Sequence, residues 1–491
     1  MPPSPFVPPP PDDLFGPDND EYTRTTPFST ITPADIPAPP PPDYSAHDHS
    51  PLRGGPYGGA GGGFGRRGRG GRGRWGRGGG GWEERGQGMG GPRQPSGPAF
   101  QVLPANNPNL ASMAVLGLRG HHDAALKAAK LPTFQKPNLL AGFSRLGDGT
   151  VFWDERCLRR LRPAILGRDG GKAGGDGTDG AAAAAAAVGD SENGFADVLR
   201  AMRSVLKHQL AALQPGTSPD RLHFVTFRNN LNKLMGVCYN RQDAWEMGVH
   251  KRLGSVYLDV HKTAADQQQQ QHKSEQQRRF EFYGYSFERV ATEARKTGPG
   301  EAGAGGEDSL VIDANEEFCA VLKTKVGAHR VLMGAEMDCY EWVNMPQPSS
   351  GPPKPERIFL ELKTSLLPET EGQRERFERD KLLKWWIQSF VGGVGAIVVG
   401  FRDTRGRLVG VERWSLGEVT RRVKGKDYWE AGSVLTFTDQ MLTWLYGSAQ
   451  EGGDYVLRFV PGQSRLELAA ADGCPAFIEQ HCQELAAIGI S

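Results

Sequence analysis

Val331-Leu332-Met333-Gly334-Ala335-Glu336-Met337-Asp338 and Ile358-Phe359-Leu360-Glu361-Leu362-Lys363 read as two strands that carry ionisable groups among apolar ones. Period-two geometry sets Glu336 and Asp338 on one face of the first strand, and Glu361 and Lys363 on one face of the second. Their neighbours Leu332, Met337, Leu360 and Leu362 are apolar, which places the charges at the edge of a packed sheet. Carboxylates crowded there repel one another unless a cation compensates. Hard oxygen donors suit one or two Mg²⁺ or Mn²⁺ ions. An acidic residue followed on a neighbouring strand by Glu-x-Lys is a recurring nuclease arrangement. In it the carboxylates hold metal, and the lysine orients water or offsets charge in the transition state. The plainer alternative is an in-register strand pair joined by a cross-strand salt bridge.

A third segment, Gly284-Tyr285-Ser286-Phe287-Glu288, ends an aromatic run at 280–287 that reads as another strand and brings Glu288 towards the same site. Two further groups suit phosphate. Lys381, Lys384 and Gln388 fall on one helical stripe, which on its own reads first as a water-facing helix surface. Arg228, just after the short strand 224–227, has the geometry of a bidentate phosphate clamp or of an ordinary salt bridge.

Outward from these segments, strands are expected at 134–153, 255–260, 331–340, 358–363, 394–401 and 455–459. Helices are expected at 195–210, 245–253, 315–323, 381–391 and 438–445. The fold class is therefore α+β, with mixed β-sheets flanked by helices. Residues 1–99 read as a disordered tail, and 100–491 as one catalytic domain with flexible insertions near 168–192, 262–278 and 296–308.

The formal net charge of +1 hides an uneven distribution. Residues 1–50 hold eight acids and one arginine, whereas 51–95 hold nine arginines and two glutamates. Arginines set among glycines beside Phe64, Trp75 and Trp82 have the composition of a loose RNA-contacting arm, or of a solubilising tail. The six cysteines form no CxxC pair, which argues against a zinc ribbon or disulfide scaffold and suits a reducing compartment. No run long and apolar enough for a membrane span is present, so no membrane partner is expected. Walker, Rossmann and GxSxG signatures are absent, and no histidine pair has metal-ligand spacing.

In order, the chain carries FVTFR at 224–228, GYSFE at 284–288, GAEMD at 334–338, FLELK at 359–363, KWWIQSF at 384–390 and GFRD at 400–403. In these motifs it resembles the fungal nuclear branch of the DXO/Rai family of RNA 5′-end decapping and pyrophosphohydrolase enzymes, over about 125–465. That resemblance implies a (D/E)xK nuclease core with metal held by Glu288, Glu336, Asp338, Glu361 and the backbone carbonyl of Leu362. It implies catalytic roles for Glu336, Asp338, Glu361, Lys363 and Gln388, and substrate contacts from Arg228, Lys363 and Gln388. Asn229 stands where the family commonly has glycine.

The activity implied is removal of pyrophosphate from 5′-triphosphate RNA and of unmethylated or incomplete caps and, in some members, of NAD caps. Degradation from 5′ to 3′ occurs in some members. A nuclear 5′–3′ exoribonuclease is the implied partner, and the nucleus the implied location. Two other readings stay open at this point: a scaffold that mainly activates that exoribonuclease, and a DNA-directed (D/E)xK nuclease.

Overall fold

A computed structural model describes residues 100–102, 113–118, 126, 129–167, 191–212, 221–240, 242–260, 275–293, 316–345, 353–461 and 465–490. The expected tail at 1–99 and the insertion at 296–308 lie outside these residues, as do 168–190 of the insertion expected at 168–192 and 262–274 of that expected at 262–278, whose remaining residues are helical.

The first eight strands are β1 (Phe100–Val102), β2 (Met113–Leu118), β3 (Phe134–Arg145), β4 (Val151–Phe152), β5 (Arg159–Arg160), β6 (Phe224–Phe227), β7 (Trp245–Arg252) and β8 (Ser255–Val260). The others are β9 (Glu317–Val326), β10 (His329–Glu336), β11 (Cys339–Met345), β12 (Lys354–Leu366), β13 (Ala396–Arg402), β14 (Leu408–Ser415), β15 (Asp454–Val460) and β16 (Arg465–Ala470). The helices are α1 (Ser191–Ala212), α2 (Arg228–Gly236), α3 (Glu275–Ala291), α4 (Glu371–Arg376), α5 (Leu382–Val391), α6 (Leu416–Val423), α7 (Ala431–Ser448) and α8 (Ala476–Ala487).

Two mixed sheets result. The larger has eleven strands in the order β1-β2-β16-β15-β7-β8-β6-β10-β9-β3-β4, and the smaller five in the order β14-β13-β12-β11-β5. Alternation along the strands explains the layering. On β10, Val331, Met333 and Ala335 enter the main core between the sheets, while Leu332 enters a second core with Val198 and Leu199 of α1. On β13, Ile397 and Val399 face the main core, and Ala396 and Val398 face a third cluster with Phe287 and Ala291 of α3. Helices α2, α5 and α7 fill the space between the sheets through Leu231, Trp386 and Leu435. Each large apolar side chain so enclosed contributes about 1.5–3 kcal/mol. The α+β class, with mixed sheets flanked by helices, is what the alternation predicted.

Four element assignments are corrected by the packing. Of the helix expected at 245–253, residues 245–252 form β7 instead, because Trp245, Met247 and Val249 alternate into the core. Of the helix expected at 315–323, residues 317–323 belong to β9, whose two faces are both buried (Phe318 and Ala320 on one, Cys319 and Val321 on the other), so its apolar run carries no clear period. Residues 280–287 lie in α3 rather than a strand: Phe287 and Ala291 bury at i, i+4 spacing against the small sheet. Residues 331–340 are not one strand. The chain leaves β10 at Glu336 and enters β11 at Cys339, so Met337 and Asp338 form the crossover from the large sheet to the small one.

Gly334, within the GAEMD motif, is required by close approach. A Cβ there would lie 2.4 Å from Val198 Cγ2 and 2.9 Å from the Phe227 ring, so only glycine lets α1 seat on β10. Gly334→Val is expected to destabilise the fold by about 1–3 kcal/mol, the usual cost of overpacking. A urea-denaturation midpoint equal to that of the parent chain would contradict this account.

Candidate active site

The two sheets part where the chain crosses between them, and there the ionisable side chains collect. β6 ends at Phe227, which keeps extended backbone while Arg228 opens α2. Asn229 is therefore helical, a conformation that needs no glycine, and the family's usual residue is dispensable in this chain. β12 runs parallel to β13 with Glu361 beside Ile397 and Lys363 beside Val399, which turns both charged groups towards the space between the sheets. α5 approaches from the same side and presents Gln388.

Four predicted residues form one bonded group. Lys363 Nζ donates to Glu361 Oε1 at 2.6 Å and to Gln388 Oε1 at 3.1 Å. Gln388 Nε2 donates to Glu361 Oε1 at 2.7 Å, and Arg228 Nη1 donates to Glu361 Oε2 at 3.3 Å. All four are buried, Glu361 completely. Arg228, which the sequence allowed as a phosphate clamp or as a salt bridge, makes an ion pair with Glu361 in this structure.

Asp338 joins this group through the backbone: the Leu362 amide donates to its Oδ2 at 2.7 Å. That bond ties the crossover to the middle of β12 and sets Asp338 beside Glu361. Glu288, on α3 rather than a strand, lines with Asp338 a cleft that also includes Arg159, Tyr285, Glu316 and Glu317. Glu336 closes β10 opposite Cys319, two residues before Asp338. Burial first, then the charges of Glu317 and Glu336, hold the Cys319 thiol well above its ordinary pKa.

Of the lysine-glutamine stripe, Gln388 is bonded into the group. Lys381 Nζ donates to Ser365 Oγ at 2.9 Å. Burial lowers the pKa of Lys384, opposed by the charges of Asp243 and Asp380. Sequence reasoning missed Glu316 and Glu317 in the cleft. Two adjacent glutamates opening an apolar strand were the available signal, and reading 315–323 as a helix concealed it. Both have arginine partners, Glu316 with Arg159 at 3.2 Å and Glu317 with Arg145 at 2.7 Å.

A second cluster lies elsewhere, where His250, Asp454 and Cys474 each offer a ligand atom within 4.8 Å of the others. Its chemistry fits a metal poorly. Arg252 Nη2 contacts both Asp454 oxygens at 3.0 Å, so a cation would meet a guanidinium already in place. Burial raises the Cys474 thiol to about 12, so a proton would also have to leave. Arg252 reaches Glu479 of α8 at 2.8 Å as well, and the cluster acts as an ion-pair network joining β7, β15 and α8.

The carboxylate seam fits a hard divalent ion better. Glu288, Asp338 and Glu361 are 8%, 6% and 0% exposed, and burying ionised carboxylates together is costly without compensating positive charge. The two cations in the bonded group, Arg228 and Lys363, both address Glu361. An all-oxygen donor set held by a strand, the crossover and one helix is the type that Mg²⁺ and Mn²⁺ take.

Comparison with known proteins gives a consistent result. A family model described as RAI1-like PD-(D/E)XK nuclease matches residues 135–483. The chain is 28% identical over 323 residues to the decapping and exoribonuclease protein of Xenopus laevis, covering 65% of this chain and 77% of that one. It is 30% identical over 320 residues to the Rattus norvegicus protein of the same name, with 65% and 76% covered. With the decapping nuclease RAI1 of Neurospora crassa it shares 27% over 293 residues, covering 57% and 70%. Among solved structures, Candida albicans Rai1 superposes with a TM-score of 0.55 at 20% identity, over 79% of this chain and 99% of that one, a likeness of fold. With 349 of its residues matched, from 135 to 483, the chain belongs to the family of RAI1-like PD-(D/E)XK nucleases.

Proposed function

We propose that the protein is a divalent-metal-dependent hydrolase of RNA 5′ ends. It removes pyrophosphate from 5′-triphosphate RNA and releases unmethylated or incomplete caps, NAD caps included. The observation that carries this reading is the buried group Arg228–Glu361–Lys363–Gln388, bonded together beside Asp338 where the two sheets part. Relatives named for decapping and exoribonuclease activity support the RNA 5′ end as substrate.

Glu288, Glu336, Asp338, Glu361 and the Leu362 carbonyl are the proposed ligands. Bound there, Mg²⁺ or Mn²⁺ supplies Lewis acidity towards a phosphoryl oxygen. The side chains supply the rest. Lys363, held between Glu361 and Gln388, keeps its ammonium fixed where charge develops on the phosphoryl group. Gln388, bonded to both, orients the incoming phosphate, and Arg228 acts through Glu361 and on the 5′ phosphates. The reading includes a nuclear setting and a 5′–3′ exoribonuclease as partner. Among the described residues no helix is long and apolar enough to cross a membrane.

The deciding experiment incubates the full chain with Mn²⁺ or Mg²⁺ and matched RNAs bearing 5′ triphosphate, unmethylated cap, methylated cap, NAD cap or monophosphate. Release of pyrophosphate or of an intact cap dinucleotide is the expected result. Absence of product from every RNA would sink the hydrolase reading and favour the scaffold. Cleavage of duplex DNA without RNA end chemistry would favour the DNA-directed one. Independently of turnover, Mn²⁺ at 100 times its Kd is expected to stabilise the chain by about 2.7 kcal/mol through mass action. This shift in the unfolding transition should vanish in Glu336→Ala and Asp338→Ala; its persistence in both would place the ion elsewhere.

A further inference from the structure

The face of the small sheet that carries Glu361 and Lys363 does not stop at the site. Period two places Phe359 and Arg357 on that same face of β12. In the β11–β12 register Tyr340 lies opposite Phe359, and Trp342 opposite Arg357. Glu361 and Arg357 are four positions apart along β12, about 13 Å at the usual rise. Exposure grows along that line: Glu361 is fully buried, Tyr340, Phe359 and Arg357 are half-buried, and Trp342 is 53% exposed.

The groups on this ledge are arranged for stacking. Tyr340 and Trp342 meet edge to face at 6.4 Å. The Arg357 guanidinium lies 5.5 Å from the Tyr340 ring and 5.8 Å from that of Phe359. Glu155 holds Arg357 through two bonds at 2.6 and 2.8 Å, which fixes the guanidinium plane and engages its charge. What it adds to the ledge is therefore a flat π surface. The ionic pair Glu341–Arg413 belongs to the alternate residues of β11, on the opposite face.

A single exposed apolar residue is common and signifies little. Trp342 differs by its setting: it ends a row of rings and a guanidinium that is continuous with the carboxylate site. Aromatic rings with arginine, non-specific for base, are how proteins carry single strands. We propose that the Tyr340–Trp342–Phe359–Arg357 ledge carries the RNA single strand as it leaves the site, its bases stacking on these groups. This rests on the RNA 5′-end reading above. Since ~13 Å is about four stacked nucleotide rises of 3.4 Å, an RNA of two nucleotides does not reach Trp342, and one of twelve does.

The test uses the full chain, Trp342→Ala and Trp342→Tyr, with 5′-triphosphate RNAs of two and twelve nucleotides. For Trp342→Ala, KM for the twelve-nucleotide RNA should rise about 10-fold, the scale of losing one stacked base. Its kcat, and both constants on the dinucleotide, should stay as in the parent, while Trp342→Tyr restores KM by keeping a ring. Anisotropy of a fluorescein-labelled twelve-nucleotide single strand should show the same loss of affinity without turnover. Parent-like KM and anisotropy in Trp342→Ala would overturn the proposal and leave the ledge as a contact for protein. Should the parent chain release no pyrophosphate from any RNA, the 5′-end reading fails, and anisotropy alone still decides the ledge.

Discussion

Glu336→Ala and Asp338→Ala should each reduce pyrophosphate release from 5′-triphosphate RNA by on the order of 10³-fold, the scale of removing one group that stabilises developing charge. The fold should survive both changes, for reasons local to each residue. Glu336 is the last residue of β10 and is only half-buried; its place in the sheet is held by backbone pairing with Cys319. Asp338 lies in the crossover, and its removal forfeits the bond from the Leu362 amide, about 1–3 kcal/mol for a buried donor left unsatisfied. Product formation by either variant, measured under single-turnover conditions with Mn²⁺, within tenfold of the parent would remove these carboxylates from the chemistry.

Glu361→Gln is expected to cost folding as well as activity. Glu361 faces two buried cations, Arg228 at 3.3 Å and Lys363 at 2.6 Å, with side chains 7% and 2% exposed. Neutralising it leaves both positive charges enclosed without their shared counter-charge. Breaking a buried ion pair from one side costs about 3–5 kcal/mol. Lys363→Met should cost less, because it removes a charge and leaves the Arg228–Glu361 pair intact. Urea denaturation at constant m-value separates the two, and equal midpoints for both variants would show that Glu361 does not organise the group. Activity should be lost in both, since Glu361 is a proposed metal ligand and Lys363 the ammonium proposed to meet the phosphoryl group.

Much of this site was legible before any fold was known, because strand alternation and ligand chemistry are local. Glu336, Asp338, Glu361 and Lys363 were identified from two short apolar strands, and the structure gathers Glu361, Lys363, Gln388 and Arg228 into hydrogen-bond contact. Misread elements have more than one physical cause. Where both faces of a segment are buried, as in β9, neither the period of two nor that of 3.6 stands out. In α3 the aromatic residues around Glu288 suggested a strand, although Phe287 and Ala291 pack at helical spacing.

By itself the sequence determined the α+β class, the order of the motifs and the donor chemistry of the site, since these follow from side-chain type and near-neighbour spacing. Only the tertiary structure decided that the chain passes between sheets at Met337–Asp338 and that Glu288 comes from a helix. It alone paired Arg228 with Glu361 across 133 residues of sequence. Partners so far apart are chosen by strand register and helix docking, and these emerge when two sheets bury a common core rather than from any local run of residues.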